Sequence, residues 1–147
     1  MEQTGRKNKK ADSLRIEKPK KPPNYHNRLW KIFSEYIRRK EKGRCYTCGI
    51  IKDYREMDAG HFIDKSISGE VLYFSEVNVH CQCDKCNRYL SGAKDVYAQK
   101  LVQDYGPHIL DQLFAQKALL IKWYNADYLD KLVMYKRKLK VLRLKQV

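Results

Sequence analysis

The sequence predicts an α+β fold, with a small core of two strands and a short helix flanked by longer α-helices. Three observations predict it. Two Cys-x-x-Cys turns, Cys45/Cys48 and Cys83/Cys86, enclose the 34 residues 49–82. The stretches between them are short, mixed and partly β-branched, a composition that suits strands. Outside them, apolar residues recur at helical spacing.

Residues 1–24 are rich in Lys and Pro, including Pro19, Pro22 and Pro23, and show no apolar period. They read as a disordered basic arm. From about His26 to Lys42, Leu29, Trp30, Phe33, Tyr36 and Ile37 share a helical face, and the Trp30/Phe33/Ile37 stripe reads as core packing. Asn24 or Asn27 caps this helix and Gly43 stops it. The turn Cys45-Tyr-Thr-Cys48-Gly49 follows, where Gly49 permits a tight backbone path. Residues 50–63 and 71–80 are expected strands, joined by a Gly/Ser loop around Ser66–Gly69. The second cysteine turn, 83–86, runs into a helix near 85–90. Further helices are expected at 94–105, ending at Gly106-Pro107, then at 107–123 and 126–145, the last capped by Asn125 or Asp127. The chain thus divides into an arm (1–24), a core with its preceding helix (25–106) and a C-terminal helical segment with a basic end (107–147).

The net charge is +14 and lies mostly at the two ends. Residues 1–28 hold nine Lys/Arg against three acids, and residues 131–147 hold seven against none. Residues 29–130 hold fifteen against fourteen. So one-sided an excess suits a polyanion, and phosphate contacts of this kind are salt-sensitive and blind to sequence. No apolar run approaches the roughly eighteen residues that a membrane helix needs. The basic N-terminus lacks the apolar stretch of a secretory signal. A reducing cytosol is the expected setting, and an odd number of clustered cysteines there reads as metal binding rather than disulfides. Two thiolates from each turn around one ion give the closed tetrahedral site of structural Zn²⁺. Cys81 is left over, because using it in place of Cys83 would break the x-x spacing, and it reads as a buried thiol.

Between the cysteine turns stand Asp58-Ala59-Gly60-His61-Phe62-Ile63 and Asn78-Val79-His80-Cys81-Gln82-Cys83-Asp84-Lys85-Cys86-Asn87. In the order His61, Asn78, Asn87, the sequence resembles the His-Asn-His (ββα-metal, HNH) nuclease superfamily, and within it the phage lambda NinG, or Rap, family. Also similar are the Trp30/Phe33-Ser34/Tyr36-Ile37-Arg38 helix, the Cys-x-x-Cys-Gly turn, Arg88-Tyr89-Leu90-Ser91-Gly92 and Tyr105-Gly106. The likeness covers about residues 26–115.

The resemblance implies a zinc-stapled ββα-metal core and a phage recombination endonuclease. Such an enzyme cuts branched DNA, including Holliday junctions and D-loops, in the cytoplasm of a bacterial host. By position it implies that His61 is the general base, Asn78 orients it, and Asn87 binds a catalytic Mg²⁺ or Mn²⁺. Many members carry Asp immediately before the first His. Here that place is Gly60, so Asp58 and His80 are the further candidate ligands. The residue types suit the chemistry independently. A neutral imidazole takes a proton from water near pH 7, and hard oxygens hold a divalent ion that polarises phosphate.

Lys85, Arg88 and Lys94 near this site, with Lys136, Arg137, Lys138, Lys140 and Arg143 at the C-terminal end, are the candidate DNA contacts. An alternative from another class is a zinc-finger DNA-binding protein without catalysis. An RNA-directed nuclease is a third reading, since basic tails do not distinguish the two backbones. In the last helix, Leu129, Leu132, Val133, Leu139, Val141, Leu142 and Leu144 alternate with basic residues. That pattern fits either docking on the core or a homodimer.

Overall fold

The computed structural model describes residues 23–146, so nearly all of the expected basic arm lies outside the described residues. Helix α1, Tyr25–Lys40, starts where the Asn24 side chain accepts the Asn27 N–H at 3.0 Å. Leu29, Phe33, Tyr36 and Ile37 form its buried face. The chain then turns through Gly43 at φ +66°, where a Cβ would collide with the Lys52 carbonyl oxygen. Glycine alone allows the backbone to return so closely beneath the helix end, where Arg44 bridges Ile51.

The sheet has two antiparallel strands, β1 (Asp58–His61) and β2 (Val79–Gln82), with Asp58 opposite Gln82 and His61 opposite Val79. Both are shorter than the sequence suggests. In the first stretch, the Asp53 carboxylate accepts the Arg55 N–H and caps a 3₁₀ turn at Tyr54–Glu56. In the second, Gly69–Tyr73 forms a short helix, α2, which sends Leu72 fully into the interior. The Ser75 hydroxyl then accepts the N–H groups of Val77 and Asn78, and this turn starts β2. The expected helix near 85–90 is a single wide π-type turn, Lys85–Tyr89.

Helices α3 (Lys94–Tyr105) and α4 (Ile109–Ala118) follow. The sequence suggested that α4 would continue to 123, but Leu119 turns extended. The chain thereby brings Trp123 to stack on Phe74, with ring centroids 5.6 Å apart. Helix α5, Asn125–Lys145, begins where Asp127 reaches back to the Tyr124 N–H at 2.7 Å, so Asp127 is the capping side chain.

Three buried clusters hold these elements. Leu29, Phe33 and Ile37 of α1 pack with Leu132, Tyr135 and Leu139 of α5 against Phe74 and Val79. Ile63, Leu72, Tyr97, Leu101, Ile109 and Leu113 form a second cluster. Cys45, Cys81, Cys83 and Cys86 pack with Met57 in a third. The C-terminal helix therefore docks on α1. At that junction Glu76 accepts from Tyr36 and Lys40 on α1 and from Tyr135 and Lys138 on α5, at 2.6 to 3.2 Å. No helix of the described residues is long and apolar enough to cross a membrane.

Candidate functional site

The two cysteine turns meet beside the sheet. The sulfurs of Cys45, Cys48, Cys83 and Cys86 all lie within 4.8 Å of one another, and Cys48 and Cys83 are 3.7 Å apart. A tetrahedron with Zn–S arms of about 2.3 Å has edges of about 3.8 Å, so four thiolates placed this way fit a structural ion such as zinc. Burial pushes the Cys45 thiol up, but amide hydrogens of its own turn and the Thr47 hydroxyl outweigh it and hold the thiol at about 6. Burial pushes Cys86 up to about 12. A cation in their midst would favour the thiolate form of all four. Cys81 is fully buried and stands outside this set, as the spacing indicated.

On one face of β1 lies a cleft of about 380 Å³, and it brings His61 and Asn87 together. Trp30, Asp64, Lys65, Gly92 and Lys94 complete its walls. His61 is 8% exposed and stacks on Trp30, with ring centroids 5.3 Å apart. Its Nε2 lies 3.0 Å from the Tyr73 carbonyl oxygen. A carbonyl only accepts, so Nε2 carries the proton and Nδ1 keeps the lone pair. Burial pulls the pKa down to about 4 against the Tyr73 contact, with Lys65 and Lys94 adding to the fall. The ring is therefore neutral at pH 7, with one basic nitrogen left over.

Several expected site residues take other roles. Asn78 does not hold the His61 ring. Its Oδ1 accepts the Ile63 N–H at 2.8 Å and its Nδ2 donates to the carbonyls of Ile63 and Leu72. It clamps the chain two residues past His61, while the Tyr73 carbonyl holds the imidazole. His80 belongs to another cavity, lined with Glu41, Tyr46 and Lys100. Its Nδ1 meets Glu41 at 2.6 Å and its Nε2 meets the Val77 carbonyl at 3.1 Å, so neither nitrogen is left for a cation. Asp58 is bridged through both oxygens by Arg88 at 3.0 Å and also accepts from Asn87 at 3.1 Å.

The cations divide in the same way. Lys94 spends its protons on His61 O, Phe62 O and Asp64. Lys138 pairs with Glu76, and Arg143 with Glu35 on α1, so these two fasten α5. Lys85, Lys136, Arg137 and Lys140 are exposed. The sequence reading missed Trp30 as a cleft residue, because its place on the apolar stripe of α1 reads as core. It also missed Gln82. That side chain is fully buried and donates to the Thr47 hydroxyl and the Gly92 carbonyl, while its Oε1 has no partner. A Cβ at residue 60 would collide with this oxygen, so Gly60 is what admits it.

Comparisons with known proteins agree with one another. The NinG protein of Escherichia phage lambda is 30% identical over 105 residues, which cover 69% of this chain and 50% of that protein. That of Escherichia phage 933W is equally similar, with 51% of its length covered. The NinG protein of Salmonella phage P22 is 28% identical over 135 residues, 90% of this chain and 65% of that one. The chain thus spans about half to two thirds of the length of these relatives. No solved structure gives a significant match. A family profile described as "Bacteriophage Lambda NinG protein" matches residues 1–145, and with that span the chain belongs to the NinG family.

Proposed function

We propose that this chain is a metal-dependent, structure-specific endonuclease with a zinc-stapled ββα-metal core. It hydrolyses phosphodiester bonds of branched DNA, such as Holliday junctions and D-loops, during phage recombination in the host cytoplasm. The observation that carries this reading is His61, a neutral imidazole pinned at Nε2 whose Nδ1 is left for a cleft shared with Asn87. In that setting Nδ1 takes the proton of the attacking water, and the Tyr73 carbonyl stabilises the ring as it charges. Trp30 fixes the ring plane from its other side.

Asn87 and Asp58 are the residues that would hold a divalent ion, and Gln82 Oε1 is a buried, unpartnered oxygen close to the same strand. Amide and carboxylate oxygens suit Mg²⁺ or Mn²⁺. When bound, such an ion supplies charge neutralisation at the phosphate and at the departing oxygen. Arg88 grips Asp58 here, and a DNA phosphate competes for the same guanidinium. Lys65 and Lys85 are further exposed cations, Lys65 in the cleft wall itself. A second copy of the chain would meet the outer side of α5, where Leu129, Val133 and Leu144 remain exposed beside Lys136, Arg137 and Lys140.

The other reading is a zinc-finger DNA-binding protein that lacks catalysis. It uses the cysteines and exposed cations equally well but gives no role to a buried neutral imidazole. Incubation with a labelled four-way junction and with linear duplex, in Mg²⁺, Mn²⁺ or EDTA, separates the two. Nicking of the junction that needs the ion supports the nuclease. Retarded but intact DNA with either ion would leave the binder.

A further inference from the structure

We infer that the cleft contains a tethered internal cation site, formed by the Lys94 ammonium within a cage of three oxygens, and that Lys94 is thereby a positioning residue for His61. The inference rests on the nuclease reading for its bearing on catalysis, but the cage itself stands on geometry. Lys94 Nζ lies 2.6 Å from the carbonyl oxygen of His61, 2.6 Å from that of Phe62 and 2.8 Å from Asp64 Oδ1. An ammonium has three protons, and here each has an acceptor. Lys94 is thus committed to the backbone of His61 and Phe62 rather than to an incoming phosphate.

The preceding turn is built to deliver this side chain. Ser91, Gly92 and Ala93 all have positive φ, at 50°, 88° and 48°. Two of these are not glycine, a conformation that side chains adopt only where the surroundings enforce it. A Cβ on Gly92 would lie 2.9 Å from Lys94 Cε, so glycine leaves the corridor along which the Lys94 chain runs. The Gly92 carbonyl is in turn held by the buried Gln82 amide at 2.9 Å. From there Lys94 crosses from the start of α3 to the end of β1 and closes the segment 61–64 around its charge. The two carbonyls point at one centre and would repel each other without a cation between them.

A point-like ammonium suits this cage and a planar guanidinium does not. Lys94→Ala removes the equivalent of propylammonium, which gives a direct test. NMR of ¹⁵N-labelled protein reads the amides of residues 61–64 and the His61 ring nitrogens, with the rest of the spectrum reporting the fold. The same samples are assayed on a four-way junction. We expect Lys94→Ala to displace the 61–64 signals and to cut at least tenfold more slowly. Propylammonium should return both towards the parent, whereas tetramethylammonium, which has no N–H, should not. Lys94→Arg should fail to replace lysine. Lys94→Met keeps the aliphatic packing and should show the same displaced signals, which keeps the test open should the alanine variant unfold. Signals at 61–64 that match the parent in Lys94→Met, or equal recovery with both ammonium ions, would overturn the cage. If the parent cuts nothing while the shifts and their recovery appear as described, the nuclease reading fails and the cation site stands.

Discussion

At the scale of single residues, the environment of each polar side chain decides its role. Asn78 and His61 both sit in the buried interior, yet one is fully satisfied and the other keeps a free nitrogen. Asn78→Ala strips three backbone groups of their partner, and a urea melt should show a loss of about 3 kcal/mol or more. His61 gives a signed pH effect. Its pKa is lowered from 6.5 to about 4, so above pH 6.5 the ring is neutral in both folded and unfolded chains and its stabilisation is complete. As pH falls from 6.5 towards 4 the unfolded chain takes the proton first, and that stabilisation is lost. Melts of the parent and of His61→Gln across this window should therefore converge as the pH drops. The cluster of Cys45, Cys48, Cys83 and Cys86 was legible because two Cys-x-x-Cys turns are the pattern of a four-thiolate set. The roles of Asn78, His80 and Lys94 were not, since each depends on partners that the fold brings from other segments: Leu72, Glu41 and Asp64.

At the scale of elements, helices were easier to read than strands. The α1 and α5 patterns repeat over several turns, and both helices lie within two residues of their expected bounds. The expected strand at 71–80 failed because Leu72 seeks the second cluster from a helical turn, and β-pairing begins only at Val79. Helix α5 docks through apolar contact, with Glu76 as the polar clasp. Leu139 is 1% exposed, and Leu139→Ala should cost about 2–5 kcal/mol in a denaturant melt. Burial pushes the Glu76 carboxyl up, but Lys138 and Lys40 outweigh it and hold the pKa at about 2. Glu76→Ala should cost about 2–3 kcal/mol at pH 7. This contribution is present above the ordinary carboxylate range and fades as pH falls towards 2, so the gap between parent and variant should narrow in acid.

At the scale of the whole molecule, the cysteine cluster is the hinge of the arrangement. It joins the turn after α1 to the turn after β2, and Asn87 follows directly on its last member. Removing the metal, by chelation or by Cys48→Ser, should unfold the sheet and cleft together, with one equivalent of zinc released per chain in a colorimetric assay. The basic residues 1–24 and the outer face of α5 lie away from the cleft in sequence, and on the proposed reading their cations add salt-sensitive affinity rather than chemistry. The most direct test of the central claim compares the parent with His61→Ala on one labelled four-way junction, with binding and cleavage measured in the same Mg²⁺ or Mn²⁺ buffer. A base role for His61 requires equal retardation of the junction by both proteins and loss of cutting by at least a hundredfold in the variant, in line with the roughly 10²–10⁴-fold contribution of a general base. Undiminished cutting by the variant would contradict it.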